Sequence, residues 1–345
     1  SRRMIWLLRF CWEIKSRLAV LVKFPLDRFI VVDHYPTGRE VQQVVSSTTD
    51  GGGPVATALA VAGKYGACTA MIDSIGDDMV GRHILDDFEK YNVNTNAIQV
   101  ERGAKSGVAT ILVKQSTGER AVFFERSTAT EPDFLEVHKQ LIEDAYILHI
   151  NGRHRQLMRS AMAVAKEAGT IISLDGGAQR YDEDMKAITE DSHIVIVARD
   201  YAEKYTGTTN LEDACRIIHD RGALIAGVTD GANGSYFVWP DGTAYRCEPF
   251  PQKIIVDTRG AGDSFNGAFL ANLAHIINHM KGQETISTSK SHGASIRAVE
   301  LIKHCAHSDL EKAAIFASAV ASLNTQGIGE RSPLPTLQSV QEVIG

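Results

Sequence analysis

A regular alternation of apolar strands and amphipathic helices runs from residue 145 to residue 228. Strands and helices follow one another at 146–150, 156–168, 170–174, 181–189, 194–197, 211–221 and 223–228. The strands are short and rich in β-branched residues, which is typical of a parallel sheet covered by helices on both faces. Ligands of such sheets bind beyond the carboxyl ends of the strands. The alternation therefore predicts an α/β fold with its site near 151–153, 175–177, 198–200 and 229–231.

A glycine-rich turn with the sequence D-T-R-G-A-G-D occupies residues 257–263. Apolar residues 254–256 before it predict a short strand, and the helical spacing after it predicts a long buried helix. Free N–H groups and the helix dipole at such a turn favour an anion. Gly260 and Gly262 allow the backbone to approach that anion closely. Asp263 is then a carboxylate beside a hole for negative charge, as proton removal from a hydroxyl that attacks a phosphoryl group requires.

A helix cap and a plain strand-to-helix turn would explain an isolated Gly-x-Gly equally well. The complete stretch, however, resembles the D-T-x-G-A-G-D signature of the pfkB, or ribokinase, family of carbohydrate kinases, with Arg259 at the variable position. The resemblance implies a ribokinase-like three-layer αβα sandwich with a central, mostly parallel sheet and a small β-sheet lid. It also implies transfer of the γ-phosphoryl group of ATP to a primary hydroxyl of a small sugar, with Mg²⁺ on the nucleotide. Asp263 would be the base, while Gly260, Ala261 and Gly262 would bind the transferring group.

Composition excludes several other classes of protein. The 345 residues carry a net charge of −6 with both signs interspersed, so no nucleic-acid-binding surface is predicted. The five cysteines are far apart and form no C-x-x-C pair, which favours reduced thiols in the cytoplasm and no structural zinc. An NAD-dependent enzyme is disfavoured because no G-x-G-x-x-G follows an early strand.

Residues 1–17 differ from the rest of the chain. They are basic and aromatic, and Arg9 interrupts an apolar run that is too short to span a membrane. A transit-like presequence and a mis-joined start both fit, and the missing initial Met favours the second. We therefore predict an atypical segment at 1–17 and a kinase domain at 18–345, with a first strand at 18–22.

The resemblance extends to the residues that would hold the sugar. Asp27 stands where the family has a substrate aspartate, although Val22 replaces a glycine five residues earlier. Gly52 and Gly53 precede an Ala-rich helix as in the family's G-G-N-x-x-N motif, but Thr57 replaces an asparagine. The resulting G-G-G-P-x-A-T-A is similar to the motif of sulfofructose kinases. These four residues, Asp27, Gly52, Gly53 and Thr57, are predicted to orient the acceptor.

Two pairs of β-rich runs interrupt the α/β pattern, at 29–33 with 41–45 and at 107–113 with 120–124. The resemblance makes them lid strands, within 28–46 and 107–125, that close over the sugar and join two subunits as a homodimer. Arg120 matches a lid arginine of ketohexokinases that reaches the active site. Arg153 lies in H-I-N-G-R, which is similar to a ketohexokinase stretch, and is either a pocket cation or a cap on the sheet edge.

The nucleotide side is marked by weaker motifs. Thr229, Gly231 and Gly234 form V-T-D-G-A-N-G, which resembles the family's V-T-x-G-x-x-G loop under the phosphates. Asn324 begins a closing loop that in the family borders adenine and, in many members, a monovalent cation. That cation, K⁺, is assigned near Asp257.

The family's N-x-x-E motif for Mg²⁺ is absent, as in ketohexokinases, and leaves Asp200 and Glu203 as weak candidates with no assigned Mg²⁺ site. Residues 278–308 form an additional polar insertion. Three readings therefore stay open: a kinase for a fructose-like ketose, a kinase for ribose, an aldonate or a nucleoside, and a catalytically silent protein that binds sugar or nucleotide as a regulator.

Overall fold

The computed structural model describes residues 17–21, 25–287 and 297–345. The predicted first strand is Arg17–Leu21. Val22 and residues 1–16 of the atypical segment lie outside the described residues.

Two sheets contain the strands of the described residues. The strands are β1 Arg17–Leu21, β2 Leu26–Val32, β3 Ser46–Gly51, β4 Cys68–Gly76, β5 Val93–Glu101, β6 Val108–Lys114, β7 Arg120–Glu125, β8 Ile147–Ile150, β9 Ile171–Gly176, β10 Ile194–Ala198, β11 Ile225–Thr229, β12 Ser235–Val238 and β13 Ala244–Cys247. The large sheet has the order β13-β12-β11-β10-β9-β8-β1-β4-β5 and is parallel except at β12 and β13. The predicted central, mostly parallel sheet is thus confirmed.

Helices cover both faces of the large sheet. They are α1 Pro54–Lys64, α2 Met79–Lys90, α3 Glu136–Glu143, α4 Arg155–Ala168, α5 Glu183–Glu190, α6 Arg199–Thr206, α7 Leu211–Asp220, α8 Ala261–Ser287, α9 Ala298–Ile302, α10 His307–Asn324 and α11 Leu337–Ile344. Side chains of α1, α8 and α10 share one hydrophobic core, and side chains of α4 to α7 share the other. The three-layer αβα sandwich is therefore confirmed, and the unpredicted additions include α6 and the hairpin β12–β13.

Close packing of α1 on α8 decides where the two glycine turns lie. An added Cβ at Gly267 would be 2.2 Å from the carbonyl oxygen of Ala58. Small residues let the two helices approach at this point, since a larger side chain would meet the backbone of the partner helix. The N-terminal ends of α1 and α8 are consequently neighbours.

The small sheet has the order β3-β2-β6-β7. Its strands β2 and β6 pair in parallel, while β3 and β7 pair antiparallel at the edges. Phe29, Val31, Ala109, Ile111 and Val113 form its own hydrophobic core. The sheet is the small β-sheet that the resemblance implies.

The predicted strand at 41–45 is wrong. Its valines are exposed, and the strand that pairs with β2 is β3, in the register from Val31 opposite Ser46 to Leu26 opposite Gly51. The β-branched residues of 41–45 do not decide which segment pairs, because the paired strand must end where the turn into α1 begins. The later and more polar segment, β3, ends at that turn and forms the edge strand beside β2.

The predicted strand at 254–256 is also wrong. The segment belongs to neither sheet, and Ile254, Ile255 and Val256 are exposed. The N–H of Val256 instead donates to the carbonyl of Thr325 over 2.8 Å. Backbone pairing with the loop after α10 replaces pairing with a strand.

The predicted insertion at 278–308 is only partly described. Helix α8 continues through residues 278–287, α9 covers Ala298–Ile302 and α10 begins at His307. Residues 288–296 lie outside the described residues.

Candidate active site

Three segments that are distant in sequence meet at one end of the large sheet. They are residues 50–57 at the start of α1, residues 257–263 at the start of α8, and residues 324–331 after α10. The third segment touches the other two: Glu330 accepts a 2.9 Å hydrogen bond from Thr57, and Gly329 donates to Asp257 over 3.2 Å. The fold thus assembles the site around the paired helix ends.

The turn before α8 is open on one side only. Gly260 has a φ of 70°, and an added Cβ there would be 2.9 Å from the Cβ of Glu330. An added Cβ at Gly262 would have no atom within 4 Å. Because the first N–H groups of a helix lack intrahelical partners and carry the positive end of its dipole, this open side suits an anion. Ala261 and Gly262 lie in the first turn of α8, so their backbone faces that space.

Asp263 follows directly and is half-buried beside two other carboxyl groups. Its side chain lies near that of Asp175, which is at the end of β9. Burial and the negative charges of Asp175 and Glu330 raise the pKa of Asp263 well above its ordinary value. Burial also raises the pKa of Asp175, although the guanidinium of Arg180 lies only 3.6 Å away. The group is therefore poised to take a proton.

Sequence reasoning placed 175–177 at a strand end but assigned Asp175 no role. The available signal was that strand-end position, since a polar residue there faces the ligand-binding edge of a parallel sheet. Its neighbour in space, Asp263, lies 88 residues later in the printed sequence, and only the fold brings the two together.

Asp27 lies against the glycine turn that precedes α1. It is 5% exposed, and an added Cβ at Gly52 would be 2.2 Å from its Oδ1. Burial and the charge of Glu330 raise the pKa of Asp27 to about 7, although Arg259 and Arg331 oppose them. Gly53 has a φ of 88° and forms the N-cap of α1, so the turn requires a glycine there.

The buried side chain of Arg331 is a feature of the site that the sequence did not predict. Its side chain is 1% exposed, and its Nη1 donates to Asp87 over 2.7 Å. Its Nη2 donates to the carbonyl of Gly52 over 2.9 Å, and its Nε donates to the hydroxyl of Thr57 over 3.3 Å. The guanidinium therefore holds the turn before α1 through hydrogen bonds to Gly52 and Thr57.

Asn324 joins the turn before α8 to the closing loop. Its side-chain amide donates to the hydroxyl of Ser264 over 3.1 Å and to the carbonyl of Glu330 over 3.0 Å. It thus lies under the first turn of α8. Its predicted contact with a nucleotide stays a prediction.

Asp257 is held by two arginines. Arg120 of β7 donates to Oδ1 over 2.7 Å, and Arg259 donates to Oδ2 over 2.8 Å. Burial raises the pKa of Asp257, but hydrogen bonds from Arg259 and Arg120 outweigh it, so the pKa lies below its ordinary value. Both carboxylate oxygens are thereby occupied by cationic donors, an arrangement that does not fit a monovalent cation on this carboxylate.

The remaining predicted residues lie at the same edge of the sheet. Thr229 ends β11, two strands from Asp175, and Gly231 begins a short 3₁₀ turn with a φ of 53°. Gly234 has a φ of 87°, and an added Cβ there would be 2.3 Å from the carbonyl oxygen of Cys247. Arg153 follows β8 and is exposed.

The weak Mg²⁺ candidates are engaged in protein contacts. Asp200 accepts a hydrogen bond from the N–H of Gln179 over 2.5 Å, and Glu203 lies 3.6 Å from Arg199. Across residues 17–21, 25–287 and 297–345, no group of three or more His, Cys, Asp or Glu side chains has the geometry of a metal site. Mg²⁺ in phosphoryl-transfer sites is held by one or two carboxylates together with substrate phosphates and water. The carboxylates of Asp175 and Asp263 fit that donor set.

The chain is similar in sequence to known carbohydrate kinases. Within the described part of the chain, no helix is long and apolar enough to cross a membrane. The family model of pfkB carbohydrate kinases matches residues 26–337. Among curated relatives, a probable fructokinase-2 of Arabidopsis thaliana is 30% identical over 280 residues, or 74% of this chain and 83% of the relative.

A probable fructokinase-5 of the same plant is 31% identical over 65% of this chain and 73% of the relative. Among solved structures, Arabidopsis thaliana ribokinase complexed with ribose and ATP superposes with a TM-score of 0.74 at 20% identity, covering 96% of this chain and 99% of that one. The structural likeness supports the fold, and the match over residues 26–337 settles the family. This chain belongs to the pfkB family of carbohydrate kinases.

Proposed function

We propose that this protein is an ATP-dependent kinase that phosphorylates a primary hydroxyl of a fructose-like ketose. The single observation that carries the proposal is the carboxylate of Asp263 beside the open side of Gly262, at the positive end of α8. A base and an anion site in one turn are what phosphoryl transfer to an alcohol requires. The curated relatives described above are named as fructokinases, which favours a ketose over ribose, an aldonate or a nucleoside.

In the proposed reaction the acceptor hydroxyl gives its proton to Asp263 as its oxygen attacks the γ-phosphorus. The new O–P bond forms while the bond from phosphorus to the bridging oxygen breaks, and ADP leaves with that electron pair. Burial and the charges of Asp175 and Glu330 raise the pKa of Asp263, so its carboxylate is a stronger base than that of an exposed aspartate. Backbone N–H groups of Gly260, Ala261 and Gly262 stabilise the charge of the transferring group.

Acceptor binding falls to the turn before α1. The buried carboxyl of Asp27, the backbone of Gly52 and Gly53 and the hydroxyl of Thr57 supply polar atoms within one small volume. Thr57 already donates to Glu330, so its oxygen is left to accept from Arg331 or from a sugar hydroxyl. A carboxyl group that accepts hydrogen bonds and a hydroxyl group that both donates and accepts them suit a polyol.

Nucleotide binding falls to the loop after β11 and to the closing loop. Thr229, Gly231 and Gly234 present backbone at the strand end, while Asn324 supports the first turn of α8. Mg²⁺ would neutralise the nucleotide phosphates, and Asp175 and Asp263, at the end of β9 and the start of α8, would hold it.

The small sheet would act as a lid and as the contact between two subunits. Arg120 already links it to Asp257 at the catalytic turn, and closure would exclude water as a competing acceptor. Its edge strand β7 exposes Val122, Phe123 and Phe124, which are 60%, 61% and 57% exposed. An exposed apolar stripe of this kind favours a homodimer through the lid. The unpaired Cys68, Cys215, Cys247 and Cys305 support a cytoplasmic location.

The proposal is tested by measuring ADP formation with fructose and other ketoses, ribose, an aldonate and a nucleoside as acceptors. We expect turnover to be fastest with a ketose. We expect Asp263→Asn to lose about 10²- to 10⁴-fold in kcat. Equal turnover by Asp263→Asn, or ligand-induced stabilisation without ADP formation, would reject the kinase in favour of the silent regulator.

A further inference from the structure

The carboxylate of Asp257 is buried with two positive charges beside it. Its side chain is 0% exposed, whereas those of Arg120 and Arg259 are 21% and 26% exposed. Arg259 also donates its backbone N–H to Oδ1 over 2.9 Å, and the N–H of Gly329 donates to Oδ2 over 3.2 Å. Arg120, Arg259 and Gly329 thus supply donors to both oxygens of this carboxylate.

Arg259 extends the same contact to the lid and to the acceptor turn. Its guanidinium carbon lies 4.4 Å from the centre of the Phe29 ring in β2, a cation–π distance. Its Nη1 lies 3.9 Å from Oδ2 of Asp27. Together with Arg120 from β7, it ties the catalytic turn to two strands of the small sheet.

We propose that Arg120 and Arg259 supply the positive charge at Asp257 for which the family resemblance implies K⁺, so that the turn before α8 is ordered and works without a monovalent cation. A tethered guanidinium binds a carboxylate through two N–H groups at once and loses little freedom in doing so. An additional K⁺ on this carboxylate would lie within a few ångströms of two guanidinium groups, where like charges repel. The inference concerns the cation requirement and stands independently of the acceptor sugar.

The test compares the full chain in K⁺ and in tetramethylammonium at equal ionic strength, by thermal unfolding and by turnover. Equal ionic strength removes general screening from the comparison. For the native protein we expect the same Tm and the same turnover in both salts. A Tm or a turnover that rises in K⁺ alone overturns the proposal.

The variant Arg259→Ala removes one of the two charges. We expect a Tm lower by several degrees and a lower turnover in tetramethylammonium, because a buried carboxylate loses a partner. Recovery in K⁺ but not in tetramethylammonium would further locate a latent cation site at Asp257. An unchanged Tm and turnover for Arg259→Ala would overturn the proposal.

Three further variants sharpen the reading. Arg259→Lys keeps the charge and is expected to stay independent of K⁺. Arg216→Ala removes an exposed pair with Glu212 on α7 and is the control, with Tm and turnover close to those of the native protein. If Arg259→Ala does not fold, Arg120→Ala is read by the same criteria. If no variant and no salt gives turnover, the proposed function fails, and the Tm comparison still decides this inference.

Discussion

Two glycine turns open the two helices that meet in the site, and they differ in what occupies the space a side chain would fill. An added Cβ at Gly51 would be 2.0 Å from Nη1 of Arg331, and one at Gly52 would be 2.2 Å from Oδ1 of Asp27. At Gly262, in the first turn of α8, an added Cβ would meet no atom within 4 Å. In the first turn the missing side chains make room for protein, whereas at Gly262 in the second turn the missing side chain leaves open space.

The difference teaches that a glycine run in sequence does not by itself indicate a ligand site. The turn before α1 is filled from inside by buried charges, so its glycines serve packing and only indirectly serve the acceptor. The turn before α8 keeps its backbone accessible, as electrostatic stabilisation of a transferring group needs. Substitutions in the two turns should therefore separate stability from turnover.

The largest expected effect is on stability, at the turn before α1. In Gly51→Ala the new methyl would displace Nη1 of Arg331 from its 2.7 Å hydrogen bond with Asp87. Since breaking a buried ion pair costs about 3–5 kcal/mol, we expect the free energy of unfolding to fall by that amount in urea titrations. Gly38→Ala, where a Cβ meets nothing within 4 Å, is the matched control. If both variants are equally stable, the turn is not closed as described.

The next effect is on turnover, at the turn before α8. In Gly262→Ala the methyl enters the open side of the turn, so we expect kcat to fall by about 10²- to 10³-fold, as when one donor of an anion hole is lost. Stability should be retained, because Ala is a better helix former than Gly. Gly282→Ala, farther along α8 and equally free of neighbours, should keep native turnover. Native turnover in Gly262→Ala would argue that no group is transferred there.

A smaller effect concerns pH at the turn before α1. The pKa of Asp27 is raised from 3.8 to about 7, so the native state prefers its neutral form. Stability from this group is therefore complete below pH 4 and is lost as pH rises from about 4 to about 7. Asp27→Asn should remove that slope, which we expect to be on the order of 2 kcal/mol after sharing with neighbouring carboxyls.

The measurement is the free energy of unfolding of the unliganded protein at a series of pH values between 4 and 8. Asp86→Asn changes an exposed aspartate of α2 and should keep the native slope. An Asp27→Asn curve parallel to the native one would show that this carboxyl is ionised throughout and is not enclosed by the turn.

The smallest effect tests the link between the turns. Thr57 donates to Glu330, whose Cβ lies beside Gly260. Thr57→Val removes the buried hydrogen bond to Glu330 and the longer one from Arg331, and should lower the free energy of unfolding by about 0.5–1.5 kcal/mol, mostly through the shorter bond. Thr57→Ser keeps the hydroxyl and should lie closer to the native value. A larger loss in Thr57→Ser than in Thr57→Val would assign the effect to packing of the methyl group, which only Thr57→Ser lacks.

Sequence reasoning predicted the class of fold because strand and helix periods are local properties. The alternation from residue 145 gave strands at Ile147–Ile150, Ile171–Gly176, Ile194–Ala198 and Ile225–Thr229 within a few residues. The strands predicted at 41–45 and at 254–256 from β-branched residues are absent, and those residues are exposed. Local β-propensity does not show which partner strand is available for pairing. The partner available in the fold determined the structure of both segments.

The site shows the same division. The turn at 257–263 was readable because its glycines, its carboxylates and the helix that follows are contiguous. The sequence did not predict the burial of Arg331, the proximity of Asp175 to Asp263, or the contact of Arg120 with Asp257, since each brings together residues from distant parts of the chain. The roles assigned to the predicted site residues remain predictions until the variants are measured.

By itself, the sequence determined an α/β fold, a glycine turn with an aspartate at the start of a long helix, and the family to which these belong. Only the tertiary structure decided which charges surround each carboxyl group, because electrostatic interactions depend on distance in space and on burial, neither of which follows from spacing along the chain. At Asp257 the tertiary structure places two guanidinium groups beside the buried carboxyl group.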